Sequence, residues 1–275
     1  MKVRIAGISR KEVYSPNHIT NDALIIIKTA EALREMGYDV TIYDEGFIET
    51  NDIQEELIFT MAQGEKGILR LKEFEDNGAV VINRPDGALN TYRIKMTNLL
   101  NNADIPFPRS IVLSKENMKE DYFKLFNAKE LWLKRGDVHA EHKEDVTLIY
   151  SRAELETTLS EFERRGINEA VIQENLPGDT IKYYGVQDTG FFHWYYLNGN
   201  HNIKFDLNEL KNLAFLSAEI LGVDVFGGDV IISPDGTITV IDVNDWPSFA
   251  PVREEAAENI AQLIHKKALE NVYQY

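Results

Sequence analysis

The stretch 226–249, FGGDVIISPDGTITVIDVNDWPSF, constrains this chain more than any other. Its flanks are rich in Val, Ile and Thr, which suit a pleated, half-buried surface, and they meet at Ser233-Pro234-Asp235-Gly236. Proline presets one turn angle and glycine accepts the left-handed one that follows, so two short strands joined as a hairpin are expected. Three polar residues interrupt the apolar pattern: Asp229, Asp242 and Asn244. Asp242 and Asn244 are two apart and share one face of a strand, with Ile241 and Val243 expected to turn into a core. A carboxylate on a half-buried sheet is unfavourable unless it is paired or ligates a metal. Three oxygen donors in one place suit a hard cation such as magnesium, bridged to phosphates. The alternative is a hairpin whose Asp and Asn merely end its strands. The register is open too. A two-residue turn sets Asp229 diagonal to Asp242 on one face, whereas a three-residue loop flips it away unless a bulge restores it.

The rest of the chain sets the frame for that hairpin. Its 275 residues suffice for two or three small lobes. The absence of cysteine excludes disulfides and thiolate metal sites. The formal charge of −16 argues against nucleic acid and anionic membranes as partners. With no apolar leader at the start, a cytoplasmic protein is the expectation. Oligomeric state stays open, a homo-oligomer included. Strands are expected over 3–8, 39–43, 57–59 and 79–83, alternating with helices over 21–36 and 65–76. Residues 1–84 thus read as a small open parallel α/β domain, whose ligand side would be Ser9, Arg10 and the loop to His18. Residues 85–169 read as a small α+β unit, with helices over 88–101 and 115–127. Residues 170–275 read as antiparallel strands backed by helices.

Two lysines stand out. Lys95 lies on the helix expected over 88–101, among apolar neighbours, and Lys134 ends the strand LWLK. A lysine entering a core needs a partner, for which a phosphate serves well; otherwise its stem snorkels and its ammonium stays in water. The run 171–176, VIQENL, takes a strand into a loop, where backbone N–H and C=O groups can meet the edge of a flat heterocycle such as adenine.

Taken in order, these segments resemble the ATP-grasp superfamily. NRPDGALNTYRIKMTNLLNNADIPFP is similar to its first-lysine segment and LWLKRGD to its second-lysine strand. VIQENLPGDTIKYYGV is similar to its adenine hinge, and FGGDVII with VIDVNDWPSF to its metal-binding end. The resemblance implies an α/β (α+β) fold with two ATP-grasp subdomains after the N-terminal domain, and it implies roles. Lys95 and Lys134 would contact ATP phosphates. Gln173, Glu174 and Leu176 would line the adenine pocket, and Asp179 would reach the ribose. Asp229, Asp242 and Asn244 would hold one or two Mg2+ ions. The implied activity is a carboxylate–amine ligase acting on small molecules through an acyl phosphate, in the manner of glutathione synthetase and the ribosomal-protein glutamate ligase.

The chain also departs from that pattern. RGDVHAEHKEDV stands where a glycine-rich phosphate loop is usual, and His139, His142 or Lys143 would face the substrate from it. Lys182 replaces the arginine after the hinge. The strands over 191–204 carry His193, His201 and Lys204 but no arginine over the reacting group. Lys182, His142 and Lys204 are therefore the candidate catalytic residues. Asp242, where many ligases have Glu, resembles the inositol polyphosphate kinase branch. A kinase of a polyol phosphate is thus the second reading, and it needs Lys143, Lys182, Lys204, Arg10 and Arg253 to converge. A non-catalytic nucleotide-binding protein is the third.

Overall fold

The computed structural model describes residues 3–14, 19–114, 117, 120–138, 142–199 and 203–272. The candidates His18, His139 and His201 lie outside them.

The first layer is a parallel sheet. Strands β1 (Arg4–Ser9), β2 (Asp39–Asp44), β3 (Leu57–Thr60) and β4 (Val80–Ile82) lie in the order β2-β1-β3-β4. The crossovers are α1 (Ile19–Glu35), α2 (Glu45–Ile48) and α3 (Glu65–Asp76), which cover the apolar faces of the strands as parallel sheets require.

Next come α4 (Pro85–Asn90) and α5 (Arg93–Asn102), where the sequence pattern predicts one continuous helix. The Thr91 hydroxyl donates back to Ala88 O at 2.7 Å, and Tyr92 adopts an extended conformation (φ −63°, ψ 139°) as the cap of α5. The Tyr92 hydroxyl is held by Gln63 O at 2.6 Å, a contact 29 residues away.

A central antiparallel sheet follows, in the order β5-β8-β6-β7. Its strands are β5 (Ser110–Val112), β6 (Leu131–Arg135), β7 (Val146–Ile149) and β8 (Ala170–Glu174). Two helices belong with it, α6 (Tyr122–Phe126) and α7 (Arg152–Arg164). Of the helix expected over 115–127, residues 115, 116, 118 and 119 lie outside the described residues. Strand β8, expected to open the third unit, pairs instead with β5 and β6.

The last sheet has the order β10-β9-β11-β12, from β9 (Asp179–Val186), β10 (Phe192–Asn198), β11 (Val225–Ile232) and β12 (Ile238–Asp245). One face packs on α5 and on α8 (Leu207–Leu221), through Met96, Leu100, Ile181, Tyr183, Val230, Val240 and Val243. Helix α9 (Arg253–Val272) joins the N-terminal sheet to Tyr184, Val186 and Phe249 in a second core. No helix among the described residues is long and apolar enough to cross a membrane.

Asn83 locks the two ends of the molecule together. Its Oδ1 accepts from Asp224 N (2.8 Å) and Val225 N (2.7 Å), while its Nδ2 donates to Val225 O (2.7 Å) and to the Asp245 carboxylate. Each buried polar group left without a partner costs about 1–3 kcal/mol. Asn83→Ala should therefore lower stability by about 3 kcal/mol or more, read as a drop in the urea midpoint with an unchanged slope.

Candidate nucleotide and metal site

The hairpin over 226–249 fixes its own register. Ser233 N donates to Thr237 O (2.9 Å) and Gly236 N to Ser233 O (2.8 Å), with Gly236 at φ +89°, so the turn is the three-residue loop. That loop alone would set Asp229 opposite Ile241. A bulge between Asp229 and Val230 shifts the ladder by one residue, and Asp229 lies directly opposite Asp242. Ile241, expected in the core, shares the cleft side with Asp242 because the bulge breaks the alternation. Asn244 follows on the same face as Asp242.

Cations meet this pair of carboxylates from three elements. Lys182 on β9 lies across from Asp229 and donates to both of its oxygens, at 2.9 and 3.1 Å. Arg93, first residue of α5, donates from Nη1 to Asp242 Oδ1 at 3.0 Å. Its side chain is 6% exposed, and its Nε is buried without a hydrogen-bond partner. Lys134 on β6 is also 6% exposed and donates to Gln173 Oε1 at 2.5 Å; Gln173 Nε2 in turn donates to Ser110 Oγ at 3.0 Å. The start of α5 is seated on the end of β6 by Ile94 N donating to Gly136 O, which brings Arg93 beside Lys134.

The electrostatics follow from burial. Burial works against the Lys182 ammonium, but Asp229 and Asp242 outweigh it and its pKa rises. Burial also raises the Asp229 carboxyl, against the pull of Lys182 and with the push of Asp242. Burial, then the nearby Arg93, brings the Lys134 ammonium down to about 7. An unfolded lysine titrates near 10.5, so between about pH 7 and 10.5 the unfolded chain binds more protons than the folded one. Stability should rise with pH across that window, by up to ~1.4 kcal/mol per unit, and Lys134→Met should flatten the rise in urea unfolding measured at several pH values.

Between the central and last sheets lies a cavity of about 300 Å3. Trp132, Val146, Leu176, Ile231 and Ile241 give it apolar walls, and Lys134, Gln173 and Glu174 lie along one side. Glu174 Oε1 accepts from Arg109 N at 2.6 Å, which fixes the strand-to-loop junction.

Other candidates lie elsewhere. Lys95 is exposed, near Asp86 on the outer side, because the break at Tyr92 turns the first helical position inward and gives the buried place to Arg93. Asp179 is 3% exposed and packs against Gly199, on the opposite face of β9 from Thr180 and Lys182. Thr180 lines the cavity in its place. Lys204 is exposed, with its carbonyl beside Gly236 at the hairpin turn. His142 is exposed in the loop between β6 and β7, where its N–H donates to Asp145 Oδ2 at 3.0 Å. Arg10 spends its guanidinium on Asp22, Met61 O and Trp246 O, and Arg253 donates to Asn21 Oδ1.

No protein-family model matches the sequence, and no curated protein matches it. Solved structures do. D-alanine–D-alanine ligase from Bacillus anthracis, complexed with ATP, superposes with a TM-score of 0.75 at 14% identity, over 99% of this chain and 100% of that one. A RimK domain ATP-grasp protein from Sphaerobacter thermophilus gives 0.70 at 17% identity, over 94% and 98%. The ATP-grasp ligase PsnB, complexed with a minimal precursor, gives 0.64 at 15% identity, over 96% and 99%. The chain has the ATP-grasp fold. Arg93, Lys134, Lys182, Asp229 and Asp242 gather where its two antiparallel sheets meet.

Two opposed carboxylates and an amide oxygen are hard donors on one sheet face, which fits magnesium. Among the described residues no three Asp, Glu or His side chains gather to hold a metal, and phosphate or water oxygens would complete a magnesium shell. The buried Arg93 Nε fits an anion in the same place.

Proposed function

We propose that the chain is a magnesium–ATP-dependent carboxylate–amine ligase that releases ADP and phosphate. The observation that carries the reading is the meeting of Arg93, Lys134 and Lys182 with Asp229 and Asp242 beside the cavity, with the buried Arg93 Nε lacking an acceptor. Adenine would occupy the apolar cavity against Gln173, Glu174 and Leu176. The triphosphate would run toward Arg93, Lys134 and Lys182. Asp229, Asp242 and Asn244 would hold Mg2+, which supplies charge neutralisation at the β- and γ-phosphates. An acceptor carboxylate oxygen attacks the γ-phosphorus, the bond to ADP breaks, and an acyl phosphate forms. An amine then attacks the acyl carbon, phosphate leaves with the bonding pair, and the amine gives up a proton. Lys182 and Arg93 would stabilise the charge that develops, since no arginine lies over 191–204.

The polyol phosphate kinase reading is supported less. Two of its five cations are engaged elsewhere, Arg10 with Asp22 and the backbone at Met61 and Trp246, and Arg253 with Asn21, while Lys204 is exposed beside the hairpin turn. The test is phosphorus NMR of purified protein with magnesium–ATP and pools of carboxylic acids, amines and inositol phosphates. ADP and free phosphate that depend on both acid and amine are expected. A new phosphoester without free phosphate would establish the kinase, and ATP binding without turnover the binding protein.

A further inference from the structure

We propose that Lys182 is a placeholder for a metal ion on Asp229, released toward the phosphates only when a divalent cation takes its position. The inference rests on the nucleotide-site reading above. Asp229 and Asp242 face each other on adjacent strands, and like charges directly opposite are destabilising unless a cation lies between or beside them. Lys182 covers both oxygens of Asp229, at 2.9 and 3.1 Å, which are the atoms a metal would use. The two cations that bond these carboxylates are built differently. Arg93 is 6% exposed at its side chain and carries a planar guanidinium, whereas Lys182 is 24% exposed and is a compact charge on a flexible stem. Lys182 can therefore leave; Arg93 stays.

Charge balance says when. Lys182 and Arg93 neutralise the two carboxylates. Two divalent cations neutralise an ATP tetraanion. Exchange of one set of partners for the other leaves the net charge of the site unchanged. A metal alone would expel Lys182 with no anion to receive it, and ATP alone would add four negative charges. Metal and nucleotide therefore bind with positive coupling, and Lys182 is the element both of them bias.

The experiment is Mn2+ binding without nucleotide, followed by the EPR signal of free Mn2+. Lys182→Met should bind Mn2+ at least tenfold more tightly than the native protein, and the gain should vanish in Lys182→Met/Asp229→Asn. Lys182→Gln repeats the test if the methionine variant does not fold, and circular dichroism reports folding of each. Equal Mn2+ affinity in native protein and folded variant would overturn the proposal, as would a gain that survives Asp229→Asn. Calorimetry of magnesium–ATP binding to the native protein is read separately. Its failure would remove the nucleotide site, and the Mn2+ result alone judges the placeholder.

Discussion

Asp242→Asn is expected to lower magnesium–ATP-dependent turnover by about 10²–10³-fold, the size of effect seen when one preorganised electrostatic contact is lost. Asp242 does two things in this site. It accepts from Arg93 at 3.0 Å, and it faces Asp229 across the bulge as half of the proposed metal pair. Asparagine keeps the size and one oxygen for Arg93 but removes the charge. The lost negative charge also relieves the half-buried Asp229, whose carboxyl Asp242 helps to raise, so the fold should persist. Turnover by phosphorus NMR, with the urea midpoint measured alongside, separates the two effects. An unchanged rate would remove the metal assignment. Asp242→Glu provides the graded control: it restores the charge but lengthens the reach by one methylene, and it should recover part of the rate.

Local chemistry made the scaffold of this site readable, because its cues lie close in sequence. Pro234-Asp235-Gly236 encodes a hairpin, Asp206 encodes the start of α8 by accepting from Asn208 N and Glu209 N, and the apolar run Leu131-Trp132-Leu133 encodes β6, with Lys134 following it into the core. Lys182 and Asp229 could be named as polar residues in apolar strands, although their pairing could not. The misses have a common cause in contacts made from far away. The bulge at Ile241 belongs to a strand stitched to Pro106 O through Val240 N, 134 residues apart in a ladder the turn alone cannot describe. Asp179 and Thr180 exchange faces with a one-residue change in parity, and parity at a strand's first residue is set by its neighbours, here Ile232 and Asn198. An unbroken helix over 88–101 points to Lys95 as the phosphate contact and passes over Arg93. The capping that breaks it depends on Gln63, in the N-terminal lobe.

That break yields the sharpest contrast between neighbouring residues. Arg93→Ala should weaken ATP binding by about 10–100-fold, the worth of one or two charge-assisted hydrogen bonds at ~1.5–3 kcal/mol, whereas Lys95→Ala should change it less than about twofold. Arg93 is buried, paired with Asp242 and carries an Nε with no acceptor; Lys95 is exposed and near Asp86. Arg93→Ala also removes the ion pair between Arg93 and Asp242, and breaking a buried pair is destabilising by about 3–5 kcal/mol at full burial. Asp242 is 22% exposed, so the loss should fall below that range. Arg93→Lys distinguishes the two roles, since it restores a charge for Asp242 without the planar fork that serves a carboxylate and a phosphate at once. Calorimetric ATP titration of the three variants should therefore give the order Lys95→Ala tightest, Arg93→Lys intermediate and Arg93→Ala weakest. Loss of affinity in Lys95→Ala with none in Arg93→Ala would return the phosphate contact to Lys95 and would require α4 and α5 to form one helix when nucleotide is bound.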